Sequence, residues 1–122
     1  MESSILTSVK NFLGLAAEYT AFDEDITMSI NSVFGILQDL GIGPVDGFFI
    51  EDESASWDDY VTPSVPFAHS IKILVCLRVQ LIFDSNTATS YVIAARERQI
   101  AELEWRVNAR REEILYPATE AS

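Results

Sequence analysis

The chain reads as mainly α, a single-domain bundle of about four helices around a buried central helix, with a long loop that has room for a short strand or hairpin. The strongest sign is residues 67–83, FAHSIKILVCLRVQLIF, where only His69, Ser70, Lys72, Arg78 and Gln80 are clearly polar. Phe67, Ile71, Leu74, Val75, Arg78, Leu81 and Ile82 recur at helical steps, and Ile73, Leu77 and Val79 make the opposite side apolar as well, so this helix needs neighbours on several sides. The run has no glycine or internal proline and is too long for an ordinary strand. Lys72 and Arg78 would both lie near the centre of a bilayer, which rules out a membrane span. A second sign is the set of amphipathic runs on either side, whose apolar stripes suit such a core. The third is the change at 41–66, where Gly41, Gly43, Pro44, Gly47, Pro63 and Pro66 punctuate a segment without helical period.

Taken in order, Ser3 or Ser4 caps a first short helix with the stripe Ile5, Leu6, Val9, Phe12 and Leu13, and Gly14 ends it. Leu15, Tyr19 and Phe22 lay the following link onto the core. Asp23 is placed as an N-cap, with Glu24 and Asp25 in a first turn where the helix dipole favours negative charge. The second helix carries Ile26, Ile30, Val33, Phe34, Leu37 and Leu40 and stops at Gly41. Within the long connection, Phe48, Phe49 and Ile50 suit a short strand, and Ser56 to Tyr60 a helical turn. Pro66 opens the central helix. Residues 84–86 break it, and Thr87 or Thr89 starts a long last helix with the stripe Tyr91, Val92, Ala95, Ile100, Leu103 and Val107. Its outer charges alternate, with Arg98–Glu102 and Glu102–Arg106 as opposite-sign neighbours one turn apart. The tail, 115–122, turns irregular at Pro117.

The 122 residues suffice for a core without disulfides or metal, and the whole chain, 1–122, is expected to be one domain. Charge is unevenly spread. Residues 1–66 carry twelve acids against Lys10 alone, while 67–122 carry seven acids and seven bases, so the whole net charge of −11 lies in the first half. Such a surface repels nucleic-acid backbones, which disfavours general DNA binding and is compatible with a channel that must not grip DNA. The N-terminus lacks a basic leader with an apolar core, so synthesis in the cytoplasm is expected.

No residue set reads as an active site. His69 is the only histidine, which leaves a base no histidine partner and reads better as packing. Cys76, the only cysteine, falls in the apolar run and reads as a small hydrophobe. Glu51-Asp52-Glu53 and Asp58-Asp59 do not have the spacing of a calcium loop and read as solvated acids. Phosphate-cradling and nucleophile-elbow motifs are absent, so no cofactor, metal or catalytic residue is expected. Arg96, Arg98, Arg106, Arg110 and Arg111 interleave with glutamates, which suits either a salt-bridged solvent face or a subunit contact in which Trp105, Arg106 and Arg110 take part. Phe48, Phe49, Trp57 and Tyr60 are large for a polar connection. They suit either a contact with a neighbouring subunit or self-packing over one end of the bundle.

The order LTSVKNFLG, FDEDITMSINSVFGILQDLG, a Trp57-containing loop, CLRVQLIFD and ELEWR resembles the head-tail connector (adaptor, or head-completion) proteins of long-tailed bacteriophages. The likeness rests on Leu6, Val9, Lys10, Leu13 and Gly14, then on Phe22, Asp23, Asp25, Ile26, Ile30, Asn31, Leu37 and Gly41. Later it rests on Arg78, Val79, Leu81, Phe83 and Asp84, and on Glu102 to Arg106. It implies a non-catalytic virion protein of the neck that forms a ring, usually a dodecamer, under the portal protein, meets other neck or tail-completion proteins, and lets DNA pass without specific binding. It also implies that the C-terminal part reaches the portal, through Ile114, Leu115, Tyr116 and Pro117. The alternative from another class is a small acidic inhibitor that imitates DNA to occupy a host DNA-binding protein, with carboxylates arrayed on one outer face.

Overall fold

A computed structural model describes residues 3–44, 46–61, 68–84 and 89–115, with 111–115 described by their backbone alone. Among the described residues five helices follow one another: α1 Ile5–Phe12, α2 Asp23–Asp39, α3 Trp57–Tyr60, α4 Ala68–Asp84 and α5 Ser90–Leu115. The mainly α expectation holds, and the helical turn after Ser56 is the short α3.

α4 occupies the middle. It packs against α1, α2 and α5. Ile71, Leu74, Val75 and Val79 of α4 are fully buried among Ile5 and Val9 of α1, Ile26, Ile30, Val33 and Leu37 of α2, and Val107 of α5. Its nearly continuous apolar surface is what this central position requires, and of its residues only His69, Ile73 and Ile82 are exposed.

Local chemistry sets the helix ends. Ser4 caps α1, its Oγ accepting from Thr7 N at 3.2 Å. α1 and α2 close in the same way. Gly14 and Gly41 take φ of 85° and 82°, and the following Leu15 and Ile42 return their N–H groups to Lys10 O and Leu37 O, both at 2.8 Å. This is the glycine-terminated closure that satisfies orphan carbonyls, and only a residue without Cβ adopts that backbone freely. Thr89 Oγ1 accepts from Val92 N at 3.3 Å and so starts α5. The other possible start, Thr87, lies outside the described residues, as do Pro66 and Phe67.

Asp23 departs from its expected place. It is the first residue of α2 rather than its cap, and Phe22 holds the cap position with no side-chain hydrogen bond. The competing force is Lys10, whose side chain is almost wholly buried. Its Nζ lies 2.7 Å from Asp23 Oδ1 and donates to Ala17 O at 2.8 Å. A buried ammonium must be neutralised, so the carboxylate turns to the charge instead of to the helix N–H groups.

The long connection contains no strand among its described residues, which corrects the expectation for Phe48–Ile50. Asn31 explains why. Its Nδ2 donates to Ile50 O at 2.9 Å and its Oδ1 accepts from Ile50 N at 2.8 Å, so a side-chain amide on α2 supplies the pairing that a neighbouring strand would give. The extended pairing that does form is a single antiparallel bridge, Ser4 with Ser56, closed by Ile5 N to Ala55 O at 3.0 Å and Trp57 N to Ser3 O at 2.9 Å. Because Ile50 is buried, Asn31→Leu strands two backbone groups at once. A loss of about 2–4 kcal/mol in urea unfolding is expected, at about 1–3 kcal/mol for each unmet group. A loss under about 1 kcal/mol would mean that water takes over both bonds.

Two ion pairs clasp α5 to α4 as an antiparallel hairpin. Arg78 Nε donates to Glu104 Oε2 at 2.5 Å, and Arg96 Nη1 lies 2.6 Å from Asp84 Oδ2. Among the described side chains of α5, Ile100 and Val107 are the buried ones and set the phase of that helix. Tyr91 is nine residues before Ile100, half a turn away in phase, so it points outward at 77% exposure, and Val92 is also exposed. This corrects the expected stripe, in which both belonged to the core.

Candidate assembly surfaces

The side chains with chemical potential are placed for packing or solvation. Cys76 is buried, and burial pushes its thiol up to about 11, far from the thiolate needed for nucleophilic work. His69 is exposed on α4, at the rim of a largely apolar groove of about 330 Å³ lined by α1, α4 and Trp57. Among the described residues, no group of three or more histidine, cysteine, aspartate or glutamate side chains is placed to hold a metal ion. Asp52 instead accepts from Ser54 N at 2.9 Å and Ser54 Oγ at 2.5 Å, and these hydrogen bonds hold its carboxyl below the usual range. Burial pushes the Tyr60 phenol well above its ordinary value, and its hydroxyl has no hydrogen-bond partner among the described residues.

The residues expected at an interface divide into two sets. Trp57 and Tyr60 are 2% and 5% exposed within the subunit itself. Trp57 Nε1 donates to Ser8 Oγ at 3.0 Å, and Tyr60 stacks with Phe34 and Phe48 at centroid distances of 4.4 and 5.2 Å. Of the two sequence readings for this pair, the geometry is that of self-packing. The cause is the Ser4–Ser56 bridge, which draws α3 onto α1. Phe48 is partly buried beside Tyr60, and Phe49 points outward.

Trp105, Arg106 and Arg110 are exposed on α5. Arg106 pairs with Glu102 one turn back at 2.6 Å, as the charge pattern predicts, but both side chains are about two-thirds exposed and such a pair contributes little. Ile114 and Leu115 lie at the end of α5, where only the backbone is described, and Tyr116 and Pro117 fall outside the described residues.

Two outer faces result. On α5, Tyr91, Arg98 and Trp105 recur every seven residues and share the side turned away from α4, with Trp105 72% exposed. The outward side of α2 carries Glu24, Asp25 and Asp39 around Met28, which is 66% exposed. Glu51, Asp52 and Glu53 stand across a shallow depression from Glu24 and Met28. Sequence reasoning missed Tyr91 and Met28 as surface residues. The seven-residue spacing of Tyr91, Arg98 and Trp105 was the available signal, hidden because Tyr91 also fits a loose apolar stripe.

Six of the motif residues behind the resemblance hold elements together, four of them by pairing with one another. Lys10 meets Asp23, Asn31 holds Ile50, Arg78 meets Glu104, and Asp84 meets Arg96. They are the clasps between successive elements. In comparisons with known proteins, no curated protein and no solved structure gives a significant match. The family model described as "Phage connector protein" matches residues 5–114. That match begins at the first residue of α1 and ends one residue before the end of α5, through every helix and every clasp, and the chain therefore belongs to the phage connector protein family, structural head-tail connectors of bacteriophages.

Proposed function

We propose that this subunit is an adaptor that assembles into a ring, a dodecamer, beneath the portal protein, and that the ring extends the DNA channel toward the tail and meets the next neck or tail-completion protein. The observation that carries this reading is the family match from Ile5 to Ile114. Two physical features support it. The outward face of α5 presents large aromatics that its own subunit leaves uncovered, as an assembling protein requires. The acidic excess of the first half repels a DNA backbone in transit, so the genome passes without specific contacts. The acidic outer face of α2 also suits a DNA-mimicking inhibitor, but that reading leaves the family match without an explanation.

In this reading, Ile114, Leu115, Tyr116 and Pro117 form the segment that docks on the portal, since three large apolar residues follow a charged helical face at the C-terminal end of α5. A truncation after Glu113 tests it. The shortened protein is expected to melt within about 1 kcal/mol of the full chain, because termini contribute little to the core, and to lose attachment to portal-bearing, DNA-filled heads. Normal folding with normal attachment, read by co-sedimentation with the heads, would remove the docking role. Loss of folding would assign Ile114 and Leu115 to the core stripe of α5.

A further inference from the structure

We propose that copies of this chain join head to tail, the outward face of α5 in one copy lying on the outward face of α2 in the next. The proposal rests on the ring reading above and names the two surfaces that would build it. Three observations lead to this pairing.

The faces lie on different helices. α2 and α5 each pack on α4, and the two are not among the helix pairs with substantial packing on each other. A contact between two different patches repeats from copy to copy, which is the geometry that generates rings, whereas a contact of one patch with itself stops at a dimer.

The faces are complementary in charge at Arg98, since Glu102 of the same α5 face is already paired with Arg106. Arg98 sits between Tyr91 and Trp105 on the α5 face, and all three are exposed. The α2 face offers carboxylates, Glu24 near one end and Asp39 at the other, around exposed Met28 and Gly35, where a Cβ would meet nothing within 4 Å. Methionine and an open glycine accept large aromatic side chains, and the flanking acids accept the guanidinium.

The lengths also agree. Tyr91 to Trp105 spans about 21 Å along α5, and Glu24 to Asp39 about 22 Å along α2, at 1.5 Å per residue. Met28 and Gly35 repeat the seven-residue step of the α5 stripe, so both faces carry the spacing with which one helix packs along another.

Charge reversal tests the pairing, with self-association read by sedimentation velocity and folding by circular dichroism. Arg98→Glu alone and the double variant Glu24→Arg, Asp39→Arg alone should each fold normally, since all three positions are exposed, and should associate at least ten-fold more weakly than the unmodified chain. Mixing the two variants should restore assemblies, because each then offers the other an opposite charge at both contacts. A chain carrying all three changes should assemble by itself. Retained association of Arg98→Glu would overturn the face assignment, as would failure of the mixture to recover or undiminished association of the Glu24→Arg, Asp39→Arg variant, the result expected if the α5 faces met each other. An unmodified chain that stays monomeric at about millimolar concentration would also overturn the pairing, since even weak specific contacts bind in that range. The ring-under-portal reading would then stand or fall separately, on attachment to heads.

Discussion

Leu74→Asp is expected to yield no folded protein. Leu74 is fully buried at the middle of α4, the helix that α1, α2 and α5 all contact. The change removes about 1.5–3 kcal/mol of apolar burial and adds an unpaired buried carboxylate costing several kcal/mol more. Arg78, one turn further along α4, is already engaged by Glu104, so rescue by a new ion pair would break an existing clasp. Together these losses approach the roughly 5–15 kcal/mol that holds a domain of ordinary stability. The control is Ile73→Asp on the same helix, because Ile73 is exposed and should tolerate the charge. Circular dichroism and the fraction remaining in solution after expression decide it. A cooperatively melting Leu74→Asp protein would refute the central position of α4.

Trp57→Ala is the second large effect, and its expected character follows from the burial of the indole. Truncating a buried tryptophan costs about 3–5 kcal/mol, and here the Ser8 hydroxyl also loses the indole N–H that it accepts at 3.0 Å. The loss should appear in the thermal unfolding of the isolated subunit, with assembly declining only as the folded fraction declines. Trp57→Phe separates the two contributions. It keeps most of the apolar bulk and forgoes the hydrogen bond, worth about 1 kcal/mol. A Trp57→Ala subunit that melts like the parent chain yet fails to assemble would return Trp57 to the interface and contradict its place against α1.

The helices were legible because their periods, caps and stops agree: Ser4, Gly14 and Gly41 each occupy the position that the pattern assigns. The family was also legible, through motif residues whose spacing reflects clasps between elements. Less legible was anything decided by a partner distant in the chain. Asp23 looked like a cap because local chemistry favours it there, and a buried ammonium thirteen positions earlier overrode that preference. Phe48–Ile50 looked like a strand because extended apolar residues usually pair with another strand, and an amide on α2 took that role. Trp57 and Tyr60 stood in a polar stretch, and only the bridge from Ser4 to Ser56 shows where their rings go. Tyr91 fitted two helical phases, and the burial of Ile100 and Val107 chose between them.

The attachment of α5 has a mechanical side. Its substantial packing is on α4 alone, while α1, α2 and α4 also hold one another. Lifting α5 therefore breaks two ion pairs and uncovers Ile100 and Val107, yet leaves the other three helices in contact. A single helix of 26 residues behaves as a stiff rod about 39 Å long. Pivoting such a rod by about ten degrees at Ser90 would carry its far end, at Leu115, through about 7 Å, so a small angular change beside Asp84 and Arg96 would become a large displacement at the C-terminal end.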